Sequence, residues 1–239
     1  MESLETELEA ACELDEAALA DAIETIGFEC TRCGACCKGY EPEDGDSGDG
    51  GESTGDRNEP TADREPHTAT VFPDEVRELQ ASTDYDWRDV ARPMPYGLSE
   101  GDDGPEGETF EWALQTDSCG DCAFYTEVDD DTGACQVHDD RPLICRTYPF
   151  SVDLGGTSQP MGEAVDAEGM VRAHECDGLG RDISRGEAEE LAAALKARAI
   201  REIEEAIGVR DNYQPAAVDG VVVHDSEGAK RVDGQPVDE

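Results

Sequence analysis

Four cysteines lie within eight residues, Cys30-Thr-Arg-Cys33-Gly-Ala-Cys36-Cys37, and Cys119, Cys122, Cys135, Cys145 and Cys176 follow. Cys12 completes the ten. A segment this dense in thiols either cross-links or wraps something that binds sulfur, and that narrows the folds open to the chain. Two-residue spacings let a tight turn carry successive thiolates onto one ion, with the intervening N–H groups aimed at the sulfurs. Gly34 and Ala35 are small enough to permit that approach. Arg32 and Lys38 add positive charge beside a site that turns anionic as its thiols deprotonate. Cys36 and Cys37 are adjacent, and neighbouring side chains diverge in extended backbone. Both reach one tetrahedral ion only through a sharp bend; otherwise one faces a second metal or stands as a free or redox-active thiol.

The spacings separate some metal sites from others. No standard zinc finger fits, because those need two close ligand pairs at set separations. Cys30, Cys33 and Cys36 occupy the first three places of the ferredoxin run C-x2-C-x2-C-x3-C-P, but its fourth place is Tyr40. A cluster here takes its last ligand from elsewhere, and the second cysteine group is the obvious source. Covalent c-type haem and the radical C-x3-C-x2-C arrangement both lack their motifs. The cofactor expected is therefore an iron–sulfur cluster or zinc, with ferredoxin-like spacing leaning toward iron–sulfur. The eight or nine clustered cysteines suffice for two four-thiolate sites.

Charge excludes several partners. The 239 residues carry 60 Asp or Glu against 18 Lys or Arg, a net charge of −42, and only Lys38, Lys196 and Lys230 are lysines. Nucleic acid and anionic membrane surfaces are recognised through clustered basic residues and are not expected partners. The carboxylates run along the whole chain, which suits a halophilic protein whose hydrated surface is screened by concentrated salt. The N-terminus MESLETELEA has neither the basic nor the apolar region of a secretory signal. No stretch approaches the ~20 apolar residues of a membrane span. A cytoplasmic location follows, where thiols stay reduced and metal binding takes precedence over disulfides. The expected partner is a metal ion or cluster; no protein partner is specified.

Periodicity divides the chain. Residues 1–27 read as an N-terminal helical segment, with Asp15 capping a second helix, Gly27 ending it and Cys12 a small buried apolar residue. Residues 41–70 are acidic and nearly free of large apolar side chains, the composition of a disordered insertion. Pro73 begins a helix over PDEVRELQ. Ser99–Thr109 reads as a polar loop and Phe110–Leu114 as a strand. Residues 181–239 hold a helix opened by the Ser184–Glu187 capping box, striped by Leu191, Leu195, Ala199, Ile203 and Ile207, with Gly208 just beyond. A hairpin follows, with Gly220–His224 and Ala229–Val232 around Asp225–Gly228.

The Cys30-x2-Cys33-x2-Cys36-Cys37 run, Cys122-Ala-Phe-Tyr125, Gly133-Ala-Cys135-Gln-Val-His138 and Arg141-Pro142-Leu-Ile-Cys145-Arg146-Thr-Tyr148-Pro149-Phe150 together resemble the YkgJ-type cysteine-cluster family, in a haloarchaeal-like form. That family is described as zinc- or iron-chelating. The resemblance covers roughly Phe28 to Gly180, interrupted by the acidic insertion, so that 28–40 and 71–180 form the metal-binding domain. It implies metal ligation by Cys30, Cys33, Cys36, Cys37, Cys122, Cys135 and Cys145, with Cys176 a further ligand. Cys119 is additional to the pattern, and His138 stands where an aromatic is more usual. A related domain occurs in flagellin lysine N-methylases, which makes a methylase-related modifying enzyme one alternative function; a structural zinc scaffold is another.

Around these motifs, Arg141 is expected to pair with Asp139 or Asp140, while Arg146 is divided between a carboxylate and the metal site. Tyr148 and Phe150 are expected as core or cover. His138 and His174 are nitrogen donors that so many thiols make unnecessary. The fold expected is a small, loop-rich α+β domain, with a few helices and short strands, stabilised by its metal. Loss of that metal should unfold residues 28–180.

Overall fold

The computed structural model of the chain describes residues 3–40, 64–102, 104–129, 132–155, 164–166, 169–216 and 219–237. Two short helices come first, α1 (Leu4–Cys12) and α2 (Glu16–Ile26). Ser3 caps α1 through the Thr6 N–H, and the Asp15 carboxylate accepts from the Ala17 and Ala18 N–H groups at 2.9 and 3.3 Å. Gly27, at φ 77°, closes α2. Cys12 departs from its expected place: it is exposed, and Ala11, one position earlier, turns into the core instead.

The remaining elements are mostly short. Helices α3 (Pro73–Ser82), α4 (Trp87–Val90) and α5 (Leu143–Thr147) stand among strands of two to six residues, and α6 (Arg185–Asn212) is the one long helix among the described residues. Three-stranded sheets are built from β1 (Thr70–Val71), β5 (Trp112–Leu114) and β2 (Ala91–Pro93), and from β8 (Phe150–Val152), β10 (Val171–His174) and β9 (Ala164–Asp166). A third sheet runs β12 (Gly228–Lys230), β11 (Val221–Asp225), β4 (Gly104–Thr109), β3 (Leu98–Gly101), and β6 (Tyr125–Asp129) pairs with β7 (Thr132–Cys135). The fold is thus α+β and loop-rich, with strands antiparallel except for β4 beside β11.

Two readings of the chain are corrected here. Ser99–Thr109 is no loop but most of the β3–β4 hairpin, whose backbone groups are satisfied by pairing with each other and with β11 rather than by an apolar face. Gly208 does not end α6, which continues to Asn212. A Cβ at Gly208 would strike Ser226, so the missing side chain lets the β11–β12 turn approach the helix.

Two apolar cores result. The first joins α1, α2 and α6 to β8 and β10 around Ile23, Phe150 and Leu195. The second gathers Val76, Leu79, Trp87, Trp112 and Phe124, with Cys122 inside it and Cys37, Cys135 and Cys145 packed on its rim. Residues 41–63 of the expected insertion lie outside the described residues. At its base Tyr40 and Glu65 exchange both backbone hydrogen bonds, at 3.0 and 2.8 Å.

His67 beside that junction supplies a pH test. Burial, reinforced by the Arg92 charge, pulls its imidazole down to about 4. A depressed histidine contributes stability above its unfolded value near 6.5 and loses it as pH falls through the folded value. Urea unfolding at pH 7 and pH 4.5 should show a loss that His67→Gln reduces by roughly 2 kcal/mol. Equal losses in the two proteins would refute that role.

Candidate metal centre

Cys36 and Cys37 sit on a 3-10 turn, Ala35–Cys37, which Gly34 enters at φ 76° and which the Cys37 N–H closes on the Gly34 carbonyl at 2.8 Å. Their backbone is therefore coiled, not extended, and the two Sγ atoms lie 3.9 Å apart. Two thiolates bound to one tetrahedral ion at ~2.3 Å would stand about 3.8 Å apart. The bend that the sequence left open is present, and the expected divergence does not occur.

Other elements converge on this turn. The Cys37 carbonyl accepts from the Cys122 N–H at 2.7 Å. The Arg32 carbonyl accepts from the Gly133 N–H at 2.7 Å, which docks the β6–β7 hairpin and its Cys135. Arg32 reaches that position at φ 59°, the one non-glycine positive φ among the described residues. The Tyr125 ring lies over both Gly34 and Gly133, so that a Cβ on either would run into it. Gly34→Ala is consequently opposed twice, by its φ and by Tyr125, and should weaken metal retention roughly 5- to 150-fold, from strain of about 1–3 kcal/mol. Chelator competition measures it; unchanged affinity would show that the turn is dispensable.

Cys145 comes from the other side, on α5. The Leu143 N–H at the start of that helix donates to Glu75 Oε1 at 2.7 Å, while Glu75 Oε2 accepts from the Phe72 N–H at 3.0 Å. Arg198, buried on α6, donates to Thr147 Oγ1 at 3.1 Å and pairs with Glu202 at 2.7 Å. One carboxylate and one guanidinium thus clamp the cysteine helix between α3 and α6. Sequence reading missed both residues, although Glu75 at the third position of a helix and an arginine between the stripe residues Leu195 and Ala199 were visible signals.

Cys176 stands apart from Cys145 in the chain and joins the opposite end of the run. An antiparallel bridge between Phe28 and Leu179 and the Glu29 N–H to Gly178 carbonyl bond, 3.0 Å, bring its turn beside Cys30. The Gly178 N–H points at Cys176 Sγ from 3.4 Å, a donor suited to a thiolate.

Charge coupling links the eight expected ligands through Cys36, which acts on thiols at both ends of the run. Cys37 is coupled to Cys36, Cys145 and Cys122, and Cys145 in turn to Cys122, Cys36 and Cys135. Cys176 is coupled to Cys36, Cys33 and Cys30. Cys119 lies on the Asp117–Asp121 turn, its N–H held by Asp117 at 2.8 Å. His138 is exposed, against Asp139, and His174 is buried with its Nε2 2.8 Å from Ser151 Oγ. Tyr148 donates to the Glu175 carbonyl, and Phe150 is core. Arg141 has no carboxylate partner among the described residues; its Nε donates to the His138 carbonyl at 3.0 Å, and its charge reaches Cys36, Cys135 and Cys145.

The thiols are poised unequally. Cys36 accepts a hydrogen bond from Cys37, which, with backbone and Arg141 help against burial, holds it down at about 7. That same bond and then burial push Cys37 far up. Burial also raises Cys122 to about 11 and lifts Cys135, Cys145 and Cys176. The two sulfurs titrate as a pair, with the thiolate favoured at Cys36 and the proton at Cys37. Among the described residues, no group of three or more His, Cys, Asp or Glu side chains already stands close enough to hold an ion. The donor chemistry nevertheless fits zinc or iron: soft sulfur ligands, two of them at tetrahedral separation.

Fold and site together define a cysteine-rich α+β domain whose donors suit zinc or iron. The chain belongs to the CxxCxxCC family, described as "Putative zinc- or iron-chelating domain", whose family model matches residues 29–177, more than half of its length. No curated protein and no solved structure matches it. No described helix is long and apolar enough to cross a membrane.

Proposed function

We propose that the chain is a metal-holding protein in which Cys30, Cys33, Cys36, Cys37, Cys122, Cys135, Cys145 and Cys176 bind an iron–sulfur cluster or zinc. The 3.9 Å separation of the Cys36 and Cys37 sulfurs carries this reading, since it suits two ligands on one tetrahedral metal. The charge coupling supports Cys36 as the shared member: it acts on Cys37, Cys135 and Cys145 on one side and, with Cys30 and Cys33, on Cys176 on the other. Bound metal would supply structural cross-linking in either case and electron transfer if it is an iron–sulfur cluster. Arg141 would offset the negative charge of the thiolates. A reducing, salt-rich cytoplasm is the setting we propose, on the strength of free thiols and a −42 charge.

Anaerobic purification followed by elemental analysis tests the proposal. Stoichiometric zinc or iron is expected. Brown protein that bleaches with dithionite and releases sulfide assigns the redox role, and colourless protein with zinc assigns the scaffold. A chain that carries neither metal and takes up neither on reconstitution would contradict both.

A further inference from the structure

A groove of about 390 Å³ lies between the first turns of α6 and the loop that carries Cys30, a size within the range of small-molecule sites. Arg141 and Arg146 both line it. Eight other arginines and all three lysines hold a carboxylate within 4 Å. Arg141 and Arg146 are among those that hold none in the described residues, and the Arg146 guanidinium has no hydrogen bond there either. Two guanidinium forks that share a groove, neither holding a carboxylate and Arg141 giving only its Nε to the His138 carbonyl, are suited to an external carboxylate.

The rest of the lining narrows the ligand. Glu29, Asp182 and Glu190 also face the groove, and none has a cation within 4 Å among the described residues. Glu187 is occupied by the Ser184 cap at 3.1 Å. These carboxylates repel a polyanion such as a nucleotide, and the two arginines beside them suit a ligand that carries both signs of charge. Phe28, Leu191 and Ala194 supply apolar surface. We propose that this groove binds a small zwitterion with an apolar stem, of the amino-acid type. Its carboxylate meets Arg141 and Arg146, its ammonium meets Glu29, Asp182 and Glu190, and its stem lies on Phe28, Leu191 and Ala194. The ligand then sits beside Cys30, at the edge of the metal centre. The assignment goes beyond the metal-holding reading and rests on it only in that bound metal holds the segments carrying Arg141 and Arg146.

Calorimetric titration of L-norleucine, hexanoate and hexylamine into the full, metal-loaded chain tests the assignment. Norleucine should bind saturably, and hexanoate or hexylamine at least roughly 10-fold more weakly, because each lacks one charge-assisted contact. Arg146→Gln should weaken norleucine by a similar factor with metal content unchanged, and Arg146→Lys, which keeps the charge but not the fork, should fall between. No saturable norleucine binding at millimolar concentration would overturn the proposal, as would hexanoate or hexylamine binding as tightly as norleucine. Metal content is read separately in the same samples. A metal-loaded chain that ignores norleucine sinks this assignment alone, and a chain that binds norleucine but takes up neither zinc nor iron on reconstitution sinks the metal reading alone.

Discussion

Stripping metal from the full chain should melt the part of the fold built on the Trp112 core while leaving the long helix formed. That core holds Cys122, carries Cys37, Cys135 and Cys145 on its rim, and is framed by strands of two to six residues. Such short elements bury too little to persist alone, and bound structural zinc can contribute ~10–16 kcal/mol to folding. The other core joins helices of 9, 11 and 28 residues and has no buried cysteine. Phe150, Val152, Val171 and Ala173 belong to that helical core, so the structure narrows the unfolding expected for all of 28–180. Hydrogen exchange with and without chelator is the measurement. Protection should vanish across 30–40 and 112–147 and persist in 185–207. Unchanged protection in both regions would show that metal does not hold the fold.

Cysteine replacements should sort by position. Cys36→Ser and Cys37→Ser should each lower metal affinity by roughly 100-fold or more, because each removes a sulfur from the same ion and leaves a poorer oxygen donor. Cys145→Ser should do the same from the opposite side. Cys12→Ser, on the exposed face of α1, and Cys119→Ser, on the Asp117–Asp121 turn, should leave affinity within about 2-fold, as surface changes normally do. Competition against a chromophoric chelator reads all five. A Cys37→Ser protein with full affinity would remove the shared-ion geometry, and a large loss on Cys119→Ser would mean that the ligand set was drawn wrongly.

Locally encoded features were the ones legible in advance. Asp15, Ser184 with Glu187, and Pro73 announce their helices because a cap acts within four residues. The β11–β12 hairpin was legible for the same reason. Features that depend on distant partners were not. Nothing in Cys36-Cys37 says that Gly34 enters a left-handed conformation and coils the pair. That conformation is held by Tyr125 and the β6–β7 hairpin, about ninety residues away. Ser99–Thr109 is strand because β3 and β4 pair with each other and β11 lies beside β4, and position 208 takes glycine inside α6 because Ser226 occupies the space of a side chain. Arg141 looked like a partner for Asp139 or Asp140 by proximity in sequence, but it donates to the His138 carbonyl instead, and its charge acts to lower Cys36, Cys135 and Cys145.

X-ray absorption at the edge of the bound metal, on anaerobically purified full chain, tests the central claim most directly. The account predicts a first shell made of sulfur alone, at about 2.3 Å for zinc. A shell dominated by nitrogen or oxygen would contradict it, because the clustered thiols would then not be what holds the metal.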